Sequence, residues 1–259
     1  MYEAIARYYD LIHADLTADI DFVLALAAGA AGPVLELGCG TGRLLLPLAH
    51  SGHKVTGVDN SPAMLALAQK RLAVEPATTR ERVTLIEADF TRFSETARLN
   101  GPFGLALFGH NTIMHLEPTS VTAVLPTVGR LLAPLGLLLI DVMNPLLVAQ
   151  TPNDGYLSLE ATRREPVTGD WIVQMAGSWL DDVKQILHVT WLFDRSPAAA
   201  GPIQRTIAEM DYHYLYPHEW TIILEAAGFQ LVTLYGDYHN NPFDEQSERL
   251  LLVARPPSP

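Results

Sequence analysis

Residues 34–46 read VLELGCGTGRLLL, and the order of these thirteen residues decides the architecture. The apolar run 33–37 has the length and density of a strand buried on both faces. Glycines at 38, 40 and 42 break it, and apolar periodicity over 42–50 predicts a helix. Strand, glycine turn and helix begin an alternation that continues outward. Residues 54–58 read as the next strand, and Ser61-Pro62 supplies an N-cap and a first-turn proline for a helix. VTLIE (83–87) and FGLALF (103–108) read as the third and fourth strands, 119–132 as a helix and 135–142 as a fifth strand. The fold class is therefore α/β, with a parallel, doubly wound sheet.

The rhythm changes after residue 150. Leu187, Val189, Trp191 and Phe193 repeat every second residue, as do Tyr212, Tyr214 and Tyr216. Asp181-Asp182 and Ser196-Pro197 fall where hairpin turns are needed. An antiparallel β ribbon inserted after the fifth strand is expected, with Trp171, Trp179 and Trp191 in its core. Helical pattern returns over 217–227, stopped by Gly228, and strands are expected at 229–235 and 249–254. Residues 4–27 predict two amphipathic helices, and 256–259 a frayed tail. The expected organisation is thus 1–30 as lid helices, 31–150 as ligand-binding core, 151–215 as inserted subdomain on the acceptor side, and 216–259 as completion of the core sheet.

Composition narrows the partners. With 17 Lys+Arg against 29 Asp+Glu the 259-residue chain carries a net charge of −12, and its densest basic pair, Arg163-Arg164, is flanked by Glu160 and Glu165. Nucleic-acid binding leans on clustered cations, so no nucleic-acid partner is expected. No apolar run approaches a membrane span, and residues 1–10 lack the basic-then-apolar order of a signal peptide. A single cysteine, Cys39, fits a cytoplasmic location. The nine histidines show no metal-ligand spacing, so no metal is expected.

The glycine spacing is G-x-G-x-G. A dinucleotide fingerprint needs glycine at 43, where Arg43 stands. Glycines let backbone approach a ligand closely, and the helix start offers free N–H groups. Glu36, two residues before the first glycine, would repel a pyrophosphate but not a ligand bearing an ammonium and a sulfonium. Asp59 ends the second strand, 23 residues after Glu36, where an acid accepts hydrogen bonds from ribose hydroxyls. Asp89 and Phe90 follow the third strand at the same sheet edge, suited to an adenine amine and ring face.

VLELGCGTGRLLLPLA, GVDNSPAML and EADF resemble motifs I, II and III of class I S-adenosylmethionine (SAM)-dependent methyltransferases. ARYYDLIH followed by ADIDFVLALA resembles the N-terminal helices of bacterial small-molecule members related to glycine and amino-sugar N-methyltransferases. The resemblance covers residues 1–145 well and the ending moderately. It implies a seven-stranded, Rossmann-like sheet, SAM as cofactor and S-adenosylhomocysteine as product. It implies Glu36, Gly38, Cys39, Gly40 and Gly42 at the methionine part, Asp59 at the ribose, and Asn60, Met64, Ala88, Asp89 and Phe90 at the adenine. Tyr9 and Gly109 complete the expected cofactor set. GHNTIMH (109–115) occupies the position from which such enzymes reach substrate, and an Asn-Pro-Pro-Tyr type motif of nucleic-acid amino methylation is absent.

His110 and His115 are candidate general bases, set against a plain role in the wall. Tyr8, Asn111, Tyr212 and Tyr214 are candidate acceptor residues, set against ordinary packing. For Cys39 a small packing residue is favoured over a nucleophile. The function expected is direct methyl transfer to a small molecule, nitrogen before oxygen, by a monomer or homodimer. A non-methyl alkyl or aminopropyl transferase and a noncatalytic SAM-binding module are the alternatives.

Overall fold

The computed structural model describes residues 2–95, 99 and 101–256; of the expected frayed tail, 257–259 lie outside them. Two helices come first, α1 (Tyr2–Ile12) and α2 (Ala18–Gly29). The main sheet begins with β1 (Val34–Leu37), followed by α3 (Leu45–His50), β2 (Val55–Asp59), α4 (Pro62–Ala73), α5 (Ala77–Arg80) and β3 (Val83–Glu87). Next come β4 (Phe103–Phe108), α6 (Pro118–Leu131), β5 (Leu132–Met143) and α7 (Pro145–Val148). The inserted strands are β6 (Leu157–Arg164), β7 (Trp171–Asp181), β8 (Ile186–Ser196) and β9 (Gln204–His213). Helix α8 (Pro217–Ala226) and strands β10 (Gln230–Tyr235) and β11 (Arg249–Arg255) close the chain.

The seven-stranded sheet runs β10-β11-β5-β4-β1-β2-β3, and the inserted strands form a separate antiparallel sheet in the order β6-β7-β8-β9. Strands β1 to β5 are parallel, whereas β11 enters antiparallel beside β5 and β10 pairs antiparallel with β11. The order reverses between β1 and β4, the switch point outside which such sheets bind ligands.

All six residues of β4 and all four of β1 are buried, because helices cover both faces of the sheet. Helix α6 turns Val121, Val124, Leu125 and Val128 inward at the spacing of one helical face. Ser61 accepts from the Met64 amide at 3.3 Å and Pro62 takes the first helical position, so α4 starts where its capping residues dictate.

Three expectations shift. The helix after the glycine turn begins at Leu45 rather than 42, because Gly38, Gly40 and Gly42 all hold left-handed φ (74°, 53° and 79°), which no α-helix accommodates. The fifth strand starts at Leu132, directly after α6. Trp171 and Trp179 are not ribbon core: they are 49% and 53% exposed. Alternation along β7 turns Ile172, Gln174 and Ala176 inward and the odd-numbered residues outward. Among the described residues, no helix is long and apolar enough to cross a membrane.

Candidate active site

The C-terminal ends of β1, β2, β3 and β4 surround a cavity of about 660 Å³. Its lining includes Gly38 and Gly40 from the turn after β1, Asp59, Asn60 and Met64 after β2, Asp89 and Phe90 after β3, and His110 and His115 after β4. Tyr9 reaches it from α1. The chain thus brings ten of the residues singled out from sequence to one place. Tyr2 and Glu3, which belong to no local motif, also line it, as does Thr112 of the GHNTIMH segment.

Asp59 is held by backbone. Its Oδ2 accepts from Gly40 N and its Oδ1 from Ser61 N, both at 2.8 Å, so the carboxylate locks the glycine turn to the start of α4. Burial raises its pKa, against those same hydrogen bonds. At Gly38, φ is +74° and a Cβ would lie 2.2 Å from Thr112 Cγ2. The loop after β4 can lie against the turn only because position 38 has no side chain. Asp89 accepts from Thr91 N and Oγ1 at 2.9 and 2.6 Å, which fixes the corner beside Phe90.

Glu36 does not itself line the cavity. It is 4% exposed, its Oε2 has no hydrogen-bond partner, and burial pushes its pKa up to about 8, with Arg43 opposing the rise. An orphaned carboxylate oxygen behind a glycine cradle fits a ligand that brings a cationic amine. The Arg43 side chain has a partner of its own: Nη1 and Nη2 meet both oxygens of buried Asp19 at 2.8 and 2.5 Å, tying α2 to the turn. The residue that broke the dinucleotide pattern is therefore a structural clasp.

Besides Glu36, four cofactor candidates stand away from the cavity wall. Cys39 is buried, with Sγ 2.8 Å from where a Cβ on Gly57 would stand, so it packs toward β2 and burial raises its thiol pKa. Gly42 faces Ala68 and Leu45. Ala88 and Gly109 do not reach the lining.

A second chamber of about 340 Å³ lies between α1, the end of β5 and the inner face of the four-stranded sheet. Tyr2, Tyr9 and His110 line both spaces and form the wall they share. Asn111 and Tyr212 line the chamber, with Gln174, Trp191, Phe193 and Met210. Tyr8 and Tyr214 do not. On α1 the cavity face is Tyr2, Ile5, Tyr9 and Ile12, and Tyr8 sits beside it, its ring stacked at 4.9 Å on Phe193 and its hydroxyl 3.2 Å from Thr206 Oγ1. Tyr214 follows the end of β9, where strand alternation no longer applies, and is buried with its amide on the Gln185 carbonyl.

Both candidate bases are held neutral. His115 Nδ1 faces the Asp211 carbonyl at 3.3 Å and must carry the proton, so Nε2 accepts from the Tyr2 hydroxyl at 2.8 Å. Burial lowers His115 to about 4 and His110 to about 3, the latter with help from Arg249. His110 Nδ1 has no partner among the described residues. His110 and Asn111 both lie in left-handed backbone, φ 41° and 67°. They are held by a network that sequence reading missed. Asp141 Oδ2 accepts from His110 N and from the Tyr238 hydroxyl, each at 3.0 Å. Arg249 donates to Asp141 Oδ1 through Nε at 3.0 Å and Nη2 at 2.5 Å, and to Asn111 Oδ1 at 2.9 Å. Among the described residues no cluster of three or more His, Cys, Asp or Glu could hold a metal ion.

Residues 34–136 match the family model described as a methyltransferase domain. YqeM of Bacillus subtilis (strain 168), provisionally termed a methyltransferase, is 27% identical over 225 residues, 86% of this chain and 84% of that one. The cypemycin N-terminal methyltransferase of a Streptomyces species is 26% identical over 85% of this chain and 81% of its own. The CcbJ methyltransferase from Streptomyces caelestis superposes with a TM-score of 0.76 at 26% identity, covering 93% of this chain and 88% of that one.

Proposed function

From a chain that carries a methyltransferase domain and is a SAM-dependent methyltransferase, we propose an enzyme that methylates a nitrogen of a small molecule held in the chamber behind Tyr2, Tyr9 and His110. In this reading Asp59 takes the ribose hydroxyls, and Asn60, Met64, Asp89 and Phe90 surround the adenine. Gly38 and Gly40 receive the methionine part, Glu36 balances its ammonium and the Tyr9 hydroxyl reaches its carboxylate. The cofactor supplies a methyl carbon on a sulfonium, already a good leaving group. The protein therefore has to align the acceptor and exclude water.

The observation that carries nitrogen over oxygen is the state of the two imidazoles. A hydroxyl acceptor gains from a base whose pKa lies near the working pH, and His110 and His115 sit at about 3 and about 4. An amine needs only to arrive unprotonated, and the apolar chamber favours that form by desolvation. The unpartnered Nδ1 of His110 is free to orient it. The relative named as an N-terminal methyltransferase supports the same acceptor atom, and a chamber of about 340 Å³ supports a small acceptor.

Incubation with SAM and a matched pair, phenethylamine and 2-phenylethanol, tests this by product mass. Only the amine should gain a methyl group, and His110→Ala should slow its turnover about tenfold while SAM affinity by calorimetry stays within about twofold. Equal methylation of the alcohol overturns the nitrogen reading.

A further inference from the structure

Twenty residues line the acceptor chamber, and Glu160 is the one acidic side chain among them; none is Lys or Arg. Glu160 is exposed on β6, beside exposed Ser158. His13 and His110 are held neutral by burial. Of the guanidinium groups on surrounding elements, Arg43 pairs with Asp19, Arg163 with Asp15, Arg195 with Asp170, Arg205 with Asp194 and Arg249 with Asp141, each at 2.5 or 2.6 Å; Arg164 donates to the Gly169 carbonyl, Arg7 lies over the Tyr8 ring, and none of them lines the chamber. A carboxylate or phosphate entering here would pass the Glu160 anion and then lose its water with no cation to meet.

On the inner face of β7, opposite Phe193 of β8, Gln174 is 8% exposed and makes no side-chain hydrogen bond to any described residue. A carboxamide offers two donors and two lone pairs, and at Gln174 these face the chamber rather than other side chains. A neutral polar group of a ligand can meet both its donors and its lone pairs. Ala176 and Phe193 beside it are apolar, and Ser158, Glu160 and Ser178 are the other polar side chains that β6 and β7 bring to the lining.

We propose that the acceptor is an amine whose remaining body carries no anionic group, and that Gln174 recognises a neutral hydrogen-bonding group on that body. This rests on the reading that the chamber holds the methyl acceptor. Phenylalaninamide, phenethylamine and phenylalanine share one aromatic amine frame and differ in bearing a carboxamide, nothing or a carboxylate. Calorimetry on the protein saturated with S-adenosylhomocysteine should rank them in that order, the carboxylate at least about tenfold weaker than the amide. Gln174→Met, which keeps the unbranched shape, should bring the amide down to phenethylamine affinity and leave SAM affinity unchanged, the latter showing that the variant is folded. Phenylalanine binding as tightly as its amide, no binding of any of the three, or an unaltered amide affinity in Gln174→Met each overturns the inference. Binding in the expected order without a methylated product overturns nitrogen methylation, and with it the amine acceptor, while the recognition of a neutral group by Gln174 stands.

Discussion

Glu36 occupies the second-last position of β1, where both neighbours along the strand are core leucines and the strand is buried on both faces. Burial raises its pKa to about 8, Asp59 and Asp19 add to the rise, and Arg43 opposes it. A carboxyl whose folded pKa lies above its ordinary 4.5 binds its proton more tightly in the native state. Its contribution to stability is therefore complete below about 4.5 and is lost as pH rises through about 8. Glu36→Gln removes that slope, so the variant's melting temperature should exceed the parent's at pH 8 and approach it near pH 5. A bound ammonium favours the ionised form. SAM affinity of the parent should accordingly rise between pH 5.5 and 8, toward about tenfold per pH unit, and Glu36→Gln should flatten the profile. A parallel pH dependence in parent and variant would show that this carboxyl does not meet the cofactor's charge.

At the scale of elements, α1 does most to turn an open sheet edge into a site. Its residues Tyr2 and Tyr9 stand in the wall between the two spaces, so neither ligand is enclosed unless the helix is docked. The docking is polar. Glu3 accepts from Ser61 Oγ and Ala63 N at 2.8 and 3.1 Å, and Asp10 meets Thr41 Oγ1 at 2.6 Å and Arg71 at 2.7 Å. A half-exposed ion pair of this kind contributes up to about 1 kcal/mol. Asp10→Asn should therefore raise the SAM dissociation rate about fivefold in stopped-flow measurements, with little change in unfolding temperature, because the core of the sheet is untouched. An unchanged rate would mean that α1 does not open for release. The sequence announced two helices over 4–27 and a lid role for 1–30, but not the contacts that dock the first helix. Tyr2 and Glu3 belong to no motif, and their partners at His115 and Ser61 become neighbours only when the helix is laid across the sheet. The strands and the three acids were legible for the opposite reason: each follows from a pattern of a few adjacent residues, and parallel strands bring their ends to one edge.

At the scale of the whole molecule, the last strand of the chain completes the site made by the first half. Strand β11 inserts between β5 and β10, with Leu251 opposite Asp141 and Arg249 opposite Met143. That register sets a guanidinium 12% exposed against a carboxylate 4% exposed, 108 residues away in sequence. Neither residue is marked by its neighbours in the sequence, and the sheet order that joins them is not a local property. Asp141 in turn holds the His110 amide, and Arg249 holds the Asn111 side chain, so two consecutive left-handed residues are stabilised by a buried ion pair. Removing one partner leaves an uncompensated buried charge, at a cost of about 3–5 kcal/mol. Arg249→Met should lower stability by that amount in urea unfolding. Combining it with Asp141→Leu should recover a large part, since two apolar groups no longer demand pairing. Turnover should respond differently. With Asp141 and Arg249 gone, the His110 amide and the Asn111 side chain lose their side-chain partners in the shared wall, so the double variant should be nearly as stable as the parent and at least about tenfold slower in kcat. Arg249→Lys, which keeps the charge but loses the fork that spans Asp141 and Asn111, should fall between them. A double variant that regains both stability and kcat would reduce the network to a support for the sheet, with no hold on the imidazole.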